Sequence, residues 1–287
     1  MQRLILALFT GISMIFLSAC SSGAFFLANL PVKFGGQKIS HDLSYGPGHW
    51  QKLDIYLPEK TDNPVPVVVF FYGGRWTFGN KAQYAFVAKT LADAGYMVVL
   101  PDYSKYPQVK FPAFVEDAAK AVAWTHDHIH EDGGNSARLY VSGHSSGAHM
   151  GALIAADPKY LNAEGKSPEI ITAFAGLAGP YDFVPEAEDL KDIFGPPEKY
   201  PEMQVPTFVN GQQPPTLLLH GADDTQVIQR NLNRLRNKIE STGGIVETRI
   251  YEDIDHIEII GSLSWVLRDK APVKRDMLDF FAAHSGK

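Results

Sequence analysis

The chain has 287 residues, 45% hydrophobic and 20% charged, a balance that fits one globular α/β domain with a sizeable core. Its formal net charge of −6 leaves no basic footprint and argues against nucleic acid as a partner. The 25 glycines and 19 prolines are spread without a fixed period, which argues against a solenoid or a low-complexity linker.

Residues 1–20 differ from the rest. Arg3 supplies a short basic start, Leu4 to Leu17 is almost uninterrupted apolar sequence, and Ser18 and Ala19 are small residues before Cys20, the only cysteine. The pattern reads as an export signal, too short to span a bilayer comfortably. Leu17-Ser18-Ala19-Cys20 also resembles the lipobox of bacterial lipoproteins. That resemblance implies removal of residues 1–19, a lipid on Cys20, and a mature chain with no disulfide. A secretory peptide cut near Cys20, with an incidental thiol, is the alternative. Several acyl chains would hold the protein durably on the periplasmic or cell-surface side of a bacterial membrane, with that lipid as the membrane contact. Residues 20–36 are expected to be a tether and 37–287 a single domain.

Lys38 to Tyr45 and Gln51 to Leu57 show partial alternation around Gly46-Pro47-Gly48, as an antiparallel hairpin does. Val65 to Tyr72 is apolar on both faces and reads as a central buried strand. Strands and helices then alternate: a helix over 82–94, a strand over 96–100, a helix over 112–130, a strand over 138–141 and a helix over 148–155. Strands follow at 170–177 and 216–220, separated by a Pro-rich acidic segment; its aromatic residues suit either a lid over a pocket or a cover for the sheet edge. A helix over 226–242, a strand over 246–251 and a closing helix over 261–283 complete the chain. Such alternation predicts a mostly parallel sheet with helices on both faces, whose ligand site lies beyond the carboxyl ends of the strands.

Gly143-His144-Ser145-Ser146-Gly147 lies between a predicted strand and a predicted helix, and fits G-x-S-x-G. In that turn the central serine is held at strained backbone angles with its hydroxyl projecting, which makes Ser145 a candidate nucleophile. The glycines let strand and helix pass closely, and the helix start offers N–H groups to an oxyanion. Asp223 and Asp224 follow the strand at 216–220, where either could orient a base and both could merely cap a helix. His256 follows the last strand and is the histidine placed to act as base. Gly73 and Gly74, after the central strand, leave backbone N–H groups free to face a substrate oxygen, with the N–H of Ser146 as a further donor. His126, His128 and His130 are not read as a metal site, because alternate spacing puts the middle one on another helix face.

These motifs resemble the α/β-hydrolase superfamily, in particular esterases related to hormone-sensitive lipase and the bacterial feruloyl-esterase-like BD-FAE group. The resemblance runs from about Leu53 to the C-terminus. It is carried by Tyr72-Gly73-Gly74-Arg75-Trp76, Pro101-Asp102-Tyr103-Ser104-Lys105-Tyr106-Pro107, residues 111–118, the elbow with Ala148-His149, and the run 220–227. It implies Asp224 rather than Asp223 as the orienting acid, because the acid is the fourth residue counted from the glycine of His220-Gly221. Two positions depart from the pattern. Tyr72 stands where the family has histidine, and Ser104 where it has arginine. The Tyr72 hydroxyl is expected either to order the oxyanion loop or to contact the oxyanion itself.

The resemblance implies attack by Ser145 on an ester carbonyl, with His256 as base, Asp224 fixing its tautomer and Gly73, Gly74 and Ser146 forming the oxyanion hole. It implies no cofactor and no metal, and a small-molecule ester, short-chain or aryl, as substrate. The Ser-Gly-Ala-His ending of the elbow also resembles kynurenine formamidase-like amidases. A catalytically silent, ligand-binding surface lipoprotein is the reading from another class.

Overall fold

The computed structural model describes residues 23–59 and 64–285. The expected export signal and Cys20 lie outside the described residues. Eight strands form one sheet in the order β1-β2-β4-β3-β5-β6-β7-β8. They are β1 (Ile39–Ser44), β2 (Lys52–Tyr56), β3 (Val65–Phe71), β4 (Met97–Pro101), β5 (Gly134–His144), β6 (Ala173–Leu177), β7 (Thr216–Gly221) and β8 (Val246–Tyr251). β2 pairs antiparallel with both β1 and β4, and the remaining neighbours are parallel.

Burial follows the side-chain pattern. β3 is buried from Val67 onward and β4, β6 and β7 along their whole length, as continuous apolar runs covered on both faces require. β8 carries Glu247 and Arg249 and is half exposed, the polar edge that discourages pairing with another chain. The principal helices are α1 (Ala85–Ala92), α2 (Ala113–His128), α3 (Ser146–Ala156), α4 (Glu188–Phe194), α5 (Arg230–Ser241) and α6 (Val273–Ala283). Every residue of α3 is buried, which is why it is built of glycine and alanine and not amphipathic. In α5, Leu232, Leu235 and Ile239 form the single buried stripe of a surface helix.

Two expectations need correction. The closing helix is not continuous over 261–283: a short helix at Glu258–Gly261 ends in turns, and a new one, α6, starts after Pro272. Proline has no N–H for a helical hydrogen bond and clashes with the preceding turn, so it opens a helix and does not continue one. The stretch expected to be a tether is helical over residues 23–28 and again over Leu30–Phe34. Phe25, Ala28 and Val32, at i, i+3 and i+7, pack on the core, and the Asn29 amide donates to the carbonyls of Ala82 (3.3 Å) and Gln83 (2.9 Å). That apolar spacing was the signal for a docked helix.

The topology creates the site. After β3 the chain crosses to β4 on one side and returns as β5 on the other, with Phe71 opposite Gly143 in the β3–β5 register. The loops leaving these two strands therefore meet at the carboxyl edge, where strand order reverses.

Candidate active site

Ser145 occupies φ 54°, ψ −123°, between the last residue of β5 and the first of α3. Such angles cost a non-glycine residue about 1–3 kcal/mol and persist only when the surroundings enforce them. Its N–H donates to the Leu177 carbonyl (2.9 Å), and its carbonyl accepts from the His149 N–H (3.1 Å). Close passage of strand and helix requires both glycines: a Cβ on Gly143 would stand 2.6 Å from the Gly147 carbonyl carbon, and one on Gly147 would run into the Phe71 carbonyl oxygen. Gly147→Ala is therefore expected to destabilise the fold by at least about 3 kcal/mol, read as a collapse of the melting temperature. A melting curve like that of the unchanged protein would show that α3 can shift away from β3 at little cost.

The structure brings Ser145, His256 and Asp224 together. Ser145 Oγ lies 2.9 Å from His256 Nε2, and His256 Nδ1 lies 2.7 Å from Asp224 Oδ2. Asp224 and His256 are buried. Burial pushes the Asp224 carboxyl up, but the His256 hydrogen bond and charge, with the N–H groups of Val227 and Gln226 on Oδ1, outweigh it and hold the group below the usual range. An ionised carboxylate only accepts, so Nδ1 carries the proton and Nε2 is left to accept from the serine hydroxyl. Asp223 is exposed and directs its N–H to the Ile254 carbonyl. Because Asp224 holds residues 226 and 227 in a turn, α5 begins at Arg230 and not at Gln226.

Sequence reasoning missed the part played by His144, the residue before Ser145. Its Nε2 donates to the His256 carbonyl (2.9 Å), so it pins the backbone of the loop that delivers His256. Burial, with the neighbouring His256, pushes its pKa down to about 3. His149, one turn into α3, donates from Nε2 to the Met203 carbonyl (2.7 Å), and burial pushes its pKa down to about 4.

Gly73 passes so close to the elbow that a Cβ there would be 2.9 Å from His144 Nδ1 and 3.1 Å from Ser145 Cβ. Gly74 has φ 146°, where a Cβ would collide with the Phe78 carbonyl. Among the described residues, none of the N–H groups of Gly73, Gly74 and Ser146 is spent on a backbone carbonyl. Tyr72 is fully buried; its hydroxyl donates to Asp102 Oδ1 (2.8 Å) and accepts from Lys105 Nζ (2.8 Å), which puts it in the loop-ordering arrangement. Lys105 thus brings a cation from one position beyond Ser104. Burial lowers it to about 8 against the carboxylates of Asp102 and Asp117, and its ammonium lies 3.9 Å from the centre of the Trp50 ring. The Tyr103 hydroxyl ties down the Tyr72 carbonyl at 2.9 Å.

A cleft of about 420 Å³ opens over Ser145 and His256, with Trp76, Phe183, Leu190 and Arg230 on its walls. The Pro-rich acidic segment both lines this cleft and covers the sheet. Phe183 stacks on Trp76 (5.6 Å, 14°), while the buried Phe194 meets the same ring edge-on (4.8 Å, 88°). Arg75 clamps α4 with two hydrogen bonds to Asp189, at 3.0 and 3.1 Å. A second depression of about 590 Å³ between Lys110 and Tyr200 is lined by no serine, cysteine or histidine. His126 pairs with Asp127 and His128 stacks on Trp124, and no group of three or more metal-ligating side chains occurs among the described residues.

A family model described as BD-FAE matches residues 53–239. The chain belongs to the BD-FAE family. Among curated relatives, this BD-FAE member is 27% identical over 253 residues to isoprenylcysteine alpha-carbonyl methylesterase ICME of Arabidopsis thaliana, covering 79% of this chain and 58% of that one. It is 27% identical over 211 residues to esterase LipQ of Mycobacterium tuberculosis, covering 65% and 49%. It is 29% identical over 236 residues to kynurenine formamidase of Salmo salar, covering 77% and 76%. The chain spans between 51% and 60% of the length of the three plant methylesterases that it matches over most of its own length. The fold is that of inhibited esterase B from Lactobacillus rhamnosis, with a TM-score of 0.81 and 20% identity over 96% of this chain and 95% of that one.

Proposed function

We propose that this BD-FAE protein is a serine carboxylesterase that hydrolyses short-chain or aryl carboxylic esters through an acyl-enzyme. The observation that carries the reading is the aligned run from Ser145 Oγ to His256 to Asp224 at 2.9 and 2.7 Å, beneath a cleft large enough for a small ester. Ser145 attacks the carbonyl while His256 takes its proton. Asp224 holds the imidazole in the required tautomer and stabilises the imidazolium. Charge developing on the carbonyl oxygen is met by the N–H groups of Gly73, Gly74 and Ser146. His256 then protonates the leaving alcohol and activates a water that releases the acid. None of these steps calls for a cofactor. The esterase names of several relatives support the same chemistry. We also propose that the protein is exported and anchored through a lipid on Cys20, as the resemblance of residues 17–20 to a lipobox suggests.

The test is hydrolysis of a graded series of p-nitrophenyl acyl esters beside N-formylkynurenine. Activity falling as the acyl chain lengthens supports a small-ester esterase. Turnover of the formamide alone favours the amidase reading, which the likeness to kynurenine formamidase makes the specific rival. Activity on neither, by folded protein, rejects both.

A further inference from the structure

We propose that the N-terminal helical pair and the turn at Trp265 form a bilayer-docking face, so that membrane contact extends beyond the lipid on Cys20. The proposal rests on the reading of Cys20 as the lipid-bearing residue. Residues 23–28 and Leu30–Phe34 use Phe25, Ala28 and Val32 to hold the domain, and this leaves Phe26, Leu27 and Phe34 facing outward, Phe34 at 82% exposure. Trp265 is 48% exposed, and its indole N–H donates to the Leu27 carbonyl (3.1 Å), which joins Trp265 to the same apolar surface.

The position of Cys20 supplies the occupant. Only Ser21 and Ser22 separate it from Gly23. At about 3.6 Å per residue, an acylated Cys20 lies within about 11 Å of the helical pair, too close for the domain to swing free of the membrane. Phe26, Leu27, Phe34 and Trp265 are then the groups nearest the lipid. Aromatic side chains with an indole among them suit the headgroup boundary, and Lys33, its ammonium 4.6 Å from the Phe26 ring centre, can keep its charge in water above an immersed stem. Around the depression beside Trp265, Arg268, Lys274 and Arg275 are matched by Asp93, Asp269 and Asp279. Apolar burial and not lipid charge is therefore the holding force, and docking needs no anionic lipid. The face lies close to the chemistry: ring contacts from Phe25 to Tyr84 (5.5 Å), Tyr84 to His144 (6.3 Å) and His144 to His256 (4.8 Å) connect it to the catalytic histidine.

The test places a nitroxide on Phe34→Cys, Trp265→Cys and, as a control at the amino end of β8, the exposed Ile245→Cys. Each is introduced in the full chain, lipidated by its host and reconstituted in phosphatidylcholine vesicles, while mass analysis of the N-terminal peptide reports the state of Cys20. The expected result is a ratio of oxygen to nickel-chelate accessibility several-fold higher at 34 and 265 than at 245, unchanged by high salt. Vesicle-bound, acylated protein with all three labels in water would overturn the docking face while leaving the anchor intact. An unmodified Cys20 on protein that stays off the vesicles would overturn both.

Discussion

Replacing Ser145 by alanine is expected to lower turnover of a short p-nitrophenyl ester by about 10⁴- to 10⁶-fold, the scale on which nucleophile removal acts in enzymes whose triad works as a unit. Nothing else in the site loses a partner of consequence, because Asp224 and the backbone of His256 are held by Gln226, Val227 and His144. The melting temperature should therefore stay near that of the unchanged protein. Ser145→Gly should abolish activity equally but stabilise the fold by about 1 kcal/mol, since glycine relieves about 1–3 kcal/mol of strain at φ 54° and costs about 0.5–1 kcal/mol in chain entropy. Activity within tenfold of the unchanged protein in either variant would remove Ser145 from the chemistry.

Acid is expected to weaken the fold before most carboxylates titrate. His144 and His149 are buried with pKa values pushed down to about 3 and about 4, from an ordinary 6.5. Desolvation is the main cause for both. A folded-state pKa below the unfolded one means that the unfolded chain binds the proton first. Stability is thus fully present above 6.5, falls as pH drops below it, and goes on falling down to the folded values. Between pH 7 and pH 5 each histidine contributes about 2 kcal/mol of that loss, or about 4 kcal/mol together. Denaturant unfolding at the two pH values measures it. His149→Gln, whose amide does not titrate, should remove about 2 kcal/mol of that loss, and an unchanged slope would show that the folded-state pKa of His149 is not lowered.

Much of the architecture was legible in local pattern. Val65 to Phe71 has to be covered on both faces because it has no polar side, and the strand-helix alternation that follows commits the chain to parallel pairing. The elbow was legible because two glycines and a serine at that spacing, between a strand and a helix, leave the backbone little choice. Asp224 was separated from Asp223 only through resemblance, and the 31 residues between Asp224 and His256 carry no sign that their side chains meet. For Tyr72 two roles stayed open when it was read singly, and its hydrogen bonds to Asp102 and Lys105 place its hydroxyl in a network beneath the loop at Gly73 and Gly74.

The amino-acid sequence by itself determined the alternating α/β architecture, the strained turn at Ser145 and the paired glycines at 73 and 74, because periodicity and backbone freedom are properties of neighbouring residues. Only the tertiary structure decided the break before Pro272, the docking of residues 23–34, and the roles of His144, His149 and Lys105. In these last three the partner of a buried polar group lies 112, 54 and 33 residues away, and a hydrogen bond across such a span is set by packing and not by local propensity.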